Sequence, residues 1–275
     1  MDYLEYYGLK EHPFSNVVDN RFYFSNPQHS TALVKLKYVV DTRKGLAVVI
    51  GDIGTGKTTL ARLFLEQLDE KKYEAALLMV VHSTVSAEWV LKKLAMQLGV
   101  SDVKEDKVTL LSQIYRRLYE IKKEGRIAIV MLDEVQMLSS KGIMEEFRGL
   151  LNMEMPEGKL VNLIFFGLPD LDDVLSLDEP LRQRVAVKIR LKAFSEENAR
   201  SYIDHRLSVA GSEKKIFTGE ALKLIFQYSG GVARLINAIC DNALLEGYLL
   251  KTDSIDSQLI KTVAIDLDLN VVTTE

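Results

Sequence analysis

The chain has 275 residues, 47% hydrophobic and 27% charged, with a formal net charge of −4 at pH 7. These values exclude a disordered, collagen-like or disulfide-scaffold chain, and at roughly 150 residues per domain the length suggests about two domains. The acidic balance argues against nucleic-acid binding by bulk charge, although a local basic patch can act within an acidic whole.

The opening MDYLEYYGLKEHPF has early acids and no apolar h-region, so it does not read as a signal peptide. No apolar run approaches the roughly 20 residues that span a bilayer. The expectation is a soluble cytoplasmic protein with no direct membrane insertion, meeting the inner membrane only through a partner. Residues 28–43 predict a helix with Ala32, Leu33, Leu36, Val39 and Val40 on one face. Gly45 opens the run Leu46–Ile50, five apolar residues before a glycine, which reads as a buried parallel strand. A helix is predicted from Lys57 to about Lys71, a strand over 75–81, and helices over 86–98 and 108–124. Residues 127–132 and 161–167 are predicted strands. Strand and helix alternate, which argues for a parallel α/β sheet. Beyond about residue 190 only helical patterns appear, over 195–210, 218–229, 231–248 and 255–266, with Ser195 and Thr218 as helix starts. The expected organisation is an α/β domain over 1–190, its first 44 residues leading into it, a small helical domain over 191–270, and a tail over 271–275.

Gly51-Asp52-Ile53-Gly54-Thr55-Gly56-Lys57-Thr58 has the spacing G-x4-G-K-[ST] between a buried strand and a helix. Glycines let backbone N–H groups turn inward to cradle phosphate oxygens, and the helix N-terminus favours negative charge. Lys57 can reach β- and γ-phosphates, and the Thr58 hydroxyl can ligate Mg²⁺. Asp52 through Thr59 are therefore the expected ATP-binding segment. The strand 127–132 runs into Asp133-Glu134. Asp133 is expected to hold Mg²⁺, through water, and Glu134 to polarise the attacking water. The two motifs together point to nucleotide binding, and Glu134 points to hydrolysis.

Leu181-Arg182-Gln183-Arg184-Val185 follows the fourth predicted strand. An arginine there could stabilise γ-phosphate charge in a neighbouring subunit, and spacing does not distinguish Arg182 from Arg184. Arg234 opens a helix of the second domain and could report nucleotide state. Arg116, Arg117, Lys122, Lys123 and Arg126 form the densest basic cluster, either a solvated helix face or a surface for DNA or an acidic partner. Trp89, at helical spacing with Leu94, reads as core. The histidines at 12, 29, 82 and 205 have no metal-site spacing, so no structural metal is expected. Cys240 is the only cysteine and sits in an apolar run, as a buried core residue would.

These residues carry a resemblance that covers nearly the whole chain. Tyr6-Tyr7-Gly8-Leu9-Lys10-Glu11-His12-Pro13-Phe14, then Asp19-Asn20-Arg21-Phe22-Tyr23-Phe24 and His29-xx-Ala32-Leu33, are similar to the opening of the AAA+ ATPases of the ExeA/GspA general-secretion type, relatives of which are linked to exosortase and MSHA-pilus loci. Asp133-Glu134-Val135-Gln136 resembles that family's DEAQ box, and Leu181–Val185 its LxQRV segment. Tyr202-Ile203-Asp204-His205-Arg206-Leu207-Ser208-Val209-Ala210-Gly211 resembles YIxHRLxxAG, and Gly230-Gly231-Val232-Ala233-Arg234-Leu235-Ile236-Asn237 resembles GGxPRxIN. The resemblance implies a P-loop NTPase of AAA+ fold with a helical lid. It puts Arg184 at the arginine-finger position, Arg234 at the sensor-2 position, and Phe14 in the adenine pocket. Two departures stand out: Leu168 replaces the polar residue that follows the fourth-strand glycine, and Ala233 replaces the proline before Arg234. The function implied is an ATP-hydrolysing switch or motor that assembles into a ring or helical oligomer and serves secretion or envelope assembly with a membrane-complex partner. The alternative is a DNA-dependent regulator that coats duplex DNA with ATP and acts on a transposase or recombinase.

Overall fold

The computed structural model describes residues 3–17 and 19–272. In chain order its elements are α1 (Tyr3–Tyr7), α2 (Pro27–Asp41), β1 (Leu46–Gly51), α3 (Lys57–Glu66), β2 (Tyr73–Met79), α4 (Ala87–Gln97), α5 (Lys107–Lys123), β3 (Ile127–Asp133), α6 (Lys141–Leu151), β4 (Glu154–Met155), β5 (Gly158–Lys159), β6 (Val161–Gly167), α7 (Leu171–Ser176), α8 (Glu179–Arg182), β7 (Val185–Leu191), α9 (Glu196–Val209), α10 (Gly219–Ser229), α11 (Ala233–Leu249) and α12 (Ser257–Asp266). They fall into two compact units. One comprises Pro27–Asp52 and Lys57–Leu191, the other Met1–Asn26, Ile53–Gly56 and Lys192–Glu275. No helix among the described residues is long and apolar enough to cross a membrane.

The first unit is an α/β sandwich around a five-stranded parallel sheet in the order β2-β3-β6-β1-β7. Strands β1, β3 and β6 are buried along their whole length, as their unbroken apolar runs demand when helices cover both faces. Alternation sorts their side chains. Leu46, Val48 and Ile50 join one core with Leu91, Ile114 and Phe147 of α4, α5 and α6. Ala47 and Val49 join the opposite core with Leu36 of α2 and Phe64 of α3. Helices α4 and α5 start where Ser86 and Asp106 side chains accept the backbone N–H groups of Trp89 and Thr109.

Several elements depart from the sequence expectation. The strand expected over 75–81 lies at Tyr73–Met79, and the helix expected to reach Lys71 stops at Glu66. Strand β7 was not anticipated. It pairs only with β1, so it is an edge, and its burial alternates between Ile189 and Leu191 inside and Lys188 and Arg190 outside. Helix α6 and the small β4–β5 hairpin were also not anticipated.

The second unit packs α9, α10, α11 and α12 around Ile203, Ile225, Ile239, Cys240 and Ile260. Ser195, Thr218 and Asp256 cap α9, α10 and α12 through their side chains. The expected inclusion of residues 1–44 in the α/β domain is corrected for the first 26. Tyr7, Leu9, Phe14 and Phe22 are buried in the helical core. Arg206 holds the same segment by its backbone, donating to the carbonyls of Pro13 and, at 2.8 Å, Ser15. Of the tail expected over 271–275, residues 273–275 lie outside the described residues.

Candidate nucleotide site

The phosphate loop runs from the end of β1 at Gly51 to the start of α3 at Lys57. Gly54 and Gly56 have φ of 78° and 94°, the left-handed region in which side chains other than glycine are strained. Lys57 is 5% exposed, and its Nζ donates to the carbonyls of Gly51 at 2.8 Å and Asp52 at 2.9 Å. Its ammonium thus lies over the loop rather than in solvent. One residue further along α3, Thr58 Oγ1 donates to Asp133 Oδ2 at 2.6 Å. Asp133 ends β3 fully buried and its other oxygen accepts the Glu134 N–H at 3.0 Å. Burial pushes the Asp133 carboxyl above the usual carboxylate range, against the opposing pull of the Thr58 hydroxyl. A hydroxyl and a carboxylate side by side are hard oxygen donors. That set suits Mg²⁺, which takes one or two protein oxygens and fills its shell from water and phosphate. No group of three or more His, Cys, Asp or Glu side chains that could hold a metal ion occurs among the described residues.

Glu134 leaves the strand in a left-handed conformation, φ 59° and ψ 38°, and heads a single 3-10 turn over Val135–Met137. Val135 and Leu138 are buried in the sheet–helix core and anchor that turn. Gln136 Nε2 donates to Glu134 Oε2 at 2.6 Å, while its Oε1 accepts the N–H of Leu168 at 3.1 Å. Leu168 directly follows β6. The expected polar side chain is missing there, but its backbone N–H is engaged.

Arg182 is tied to Glu179, with Nε to Oε2 at 2.6 Å and a second bond at 2.9 Å. Arg184 meets neutral acceptors, the Pro180 carbonyl at 2.7 Å and Asn152 Oδ1 at 2.9 Å. The segment is fixed by buried Asp178, which accepts from Leu181 N–H at 2.8 Å and from Arg148 Nε at 3.0 Å. In the helical unit, exposed Arg234 begins α11, and its Cβ would lie 2.8 Å from a Cβ placed on Gly54. Phe14 is 2% exposed with its ring edge-on to Phe217, inside the helical core rather than on an open wall. The basic cluster is largely neutralised within the chain. Arg126 pairs with Glu74 and Glu124, Lys122 with Glu157, and Arg117 lies within 3.8 Å of Glu74, Glu120 and Glu124. Sequence reasoning gave no separate role to Gln136, Asn152 or Asp178. For Gln136 the signal was its place two residues beyond the acidic pair.

A parallel sheet in this order, with a lysine-bearing glycine loop after β1 and an acidic pair after β3, defines a P-loop nucleotide-binding domain of AAA+ class. A family model described as an AAA domain matches residues 40–175. General secretion pathway protein A of Aeromonas hydrophila is 32% identical over 249 residues, covering 90% of this chain and 45% of that relative. The chain therefore spans less than half the length of this curated relative. Among solved structures, the ORC2 protein of Aeropyrum pernix in ADPNP–ADP complexes superposes with a TM-score of 0.68 at 16% identity, over 94% of this chain and 71% of that one. The ORC1 protein of the same organism, in complex with DNA, gives 0.67 at 17% identity, over 90% and 67%. These two establish the fold alone. The chain thus carries an AAA domain over residues 40–175 and resembles the AAA+ ATPases of the general-secretion-pathway-protein-A type.

Proposed function

We propose that this chain binds ATP with Mg²⁺, hydrolyses it, and works as an oligomeric switch in secretion or envelope assembly. The observation that carries the reading is the 2.6 Å bond between Thr58 and buried Asp133, on the helix that Lys57 begins. Backbone N–H groups of Asp52–Thr59 cradle the phosphates, and Lys57 exchanges its loop carbonyls for β- and γ-phosphate oxygens. Thr58 and Asp133 would hold Mg²⁺, which when bound offsets charge on the phosphates. Glu134 orients the attacking water and takes its proton. Arg184 of an adjacent copy completes the site in trans. It is supported over Arg182 because Arg182 is already paired with Glu179, while Arg184 is hydrogen-bonded to the Pro180 carbonyl and the Asn152 amide. Arg234 reports the nucleotide's state, and Phe14 marks the N-terminal segment as the adenine side of the site. The secretion role rests on the Aeromonas hydrophila relative, and the protein is placed in the cytoplasm, meeting a membrane complex through a partner.

The test is ATP turnover against protein concentration, with and without duplex DNA. Turnover per subunit should rise with concentration and ignore DNA. Lys57→Ala should lose nucleotide binding, and mixing it with inactive Arg184→Ala should restore turnover, because each supplies what the other lacks. Tight ATP binding by Lys57→Ala, or no restoration on mixing, overturns the site as drawn. A DNA-dependent regulator of a transposase is the second reading, favoured by the likeness to the DNA-bound ORC1 structure. It requires turnover that appears only with DNA and fades at high salt.

A further inference from the structure

We infer that Gln136 is a positioning residue that couples the end of strand β6 to the Glu134 carboxylate. The inference rests on the ATPase reading above. Its amide bridges two groups of opposite need: Nε2–H donates to Glu134 Oε2 at 2.6 Å, and Oε1 accepts the Leu168 N–H at 3.1 Å. The orientation is unambiguous. Turned over, the amide would set its oxygen against a carboxylate and its NH₂ against an N–H, two repulsive contacts. Bridging leaves Glu134 with one oxygen bound and the other, Oε1, for a water.

Neighbouring residues make room for this bridge and fix it. A Cβ on Gly167 would stand 2.8 Å from Gln136 Oε1 and 2.9 Å from Leu171 Cδ2, so a larger residue there would have to displace the amide and the leucine. Val135 and Leu138 hold the turn from both sides of Gln136 in the core. Leu168 has no polar side chain, so the strand end can act on its surroundings only through backbone. Gln136 turns that backbone N–H into a restraint on the carboxylate. Strand β6 lies between β3, which ends in Asp133, and β1, which ends in the phosphate loop. A displacement at 167–168 therefore moves the Glu134 carboxylate through one rigid amide.

The experiment compares Gln136→Met, of similar length without hydrogen bonds, and isosteric Gln136→Glu, which sets a second carboxylate against Glu134. ATP affinity, KM and kcat are measured for each, and Gln136→Met is repeated in a Glu134→Gln background. Affinity and KM should stay within about twofold, while kcat falls roughly 10- to 100-fold, the scale of a misplaced catalytic group. Gln136→Glu should lose at least as much. In the Glu134→Gln background, Gln136→Met should change the residual rate by less than about twofold, because the residue it positions is gone. A kcat near wild type in Gln136→Met overturns the inference alone, as does an equal fold-loss in both backgrounds. Affinity and kcat falling together would mark structural damage and also overturn it. A wild-type protein that folds, assembles and turns over no ATP overturns the ATPase reading and this inference together.

Discussion

Arg206 is the most informative residue to remove. The residue is 6% exposed, and its guanidinium donates in different directions to the carbonyls of Pro13 and Ser15, to the hydroxyl of Tyr202 and, at 3.5 Å, to Asn237 Oδ1. It also lies 5.0 Å from the centre of the Phe22 ring and 5.5 Å from that of Tyr202. Tyr202 in turn donates to Asn237 Oδ1 at 2.8 Å, and Asn237 Nδ2 to Asn16 at 2.9 Å. Arg206→Met keeps the apolar stem and deletes every donor. Two backbone carbonyls and a hydroxyl then lose a charged partner, at roughly 1–3 kcal/mol for each buried group. Relief of the arginine's own desolvation offsets part of this. The net loss should be about 2–4 kcal/mol, a large share of a typical total of about 5–15 kcal/mol. Urea unfolding measures it, and limited proteolysis should show new cleavage within residues 8–24, because these are the residues the guanidinium ties down. Arg206→Lys should recover only part, since one ammonium cannot serve three planar directions. A loss below about 1 kcal/mol, or a full loss with no new cleavage near the N-terminus, would refute the clamp.

Two further perturbations test the same unit. Gly231 has φ +76°, and a Cβ there would fall 2.1 Å from the Phe194 carbonyl oxygen, while adjacent Gly230 would meet Val272 at an ordinary 3.5 Å. Gly231→Ala should cost roughly 2–4 kcal/mol and Gly230→Ala only about 1–2 kcal/mol, so equal losses in thermal unfolding would contradict the packing described. Burial holds the His205 imidazole below its usual value, the nearby Arg206 charge adding to the effect against an opposing hydrogen bond that the imidazole gives to the Tyr23 backbone. The unfolded chain then takes up a proton near pH 6.5 that the folded chain refuses, so stability should fall as pH drops below about 6.5. His205→Gln should flatten that slope in denaturation measured between pH 7.5 and 5.5, and an unchanged slope would remove His205 as its source.

The nucleotide loop and the acidic pair were legible because their chemistry is local. A glycine spacing, a lysine and a strand ending in two acids each lie within eight residues. Central strands were legible for a related reason: β1, β3 and β6 are covered on both faces, so their apolar runs are unbroken. Strand β7 hid because it is an edge, with Lys188 and Arg190 alternating outward to Asp172. Helix α6 hid behind Gly142 and Gly149, which weaken helical propensity although Ile143, Met144, Phe147, Leu150 and Leu151 mark a buried face. Gln136 hid because its role depends on the backbone of Leu168, 32 residues away, and no composition rule reports that. The attachment of the N-terminal segment to the helical unit was illegible for the same reason, on a larger scale.

That attachment makes the helical unit discontinuous, with the α/β unit inserted between its first strip and the rest. Pro13 and Arg206 are 193 residues apart. At roughly 5–20 residues per second of synthesis, the first strip waits about 10–40 s for its partners. During that interval Tyr7, Leu9, Phe14 and Phe22 have no core to enter, while β1, β3 and β6 can already pair. Residues 7–22 are thus buried only after elements about 190 residues further along have been made. A nascent-chain chaperone would find an apolar target in residues 7–22 until helix α9 has left the ribosome to give that segment its place.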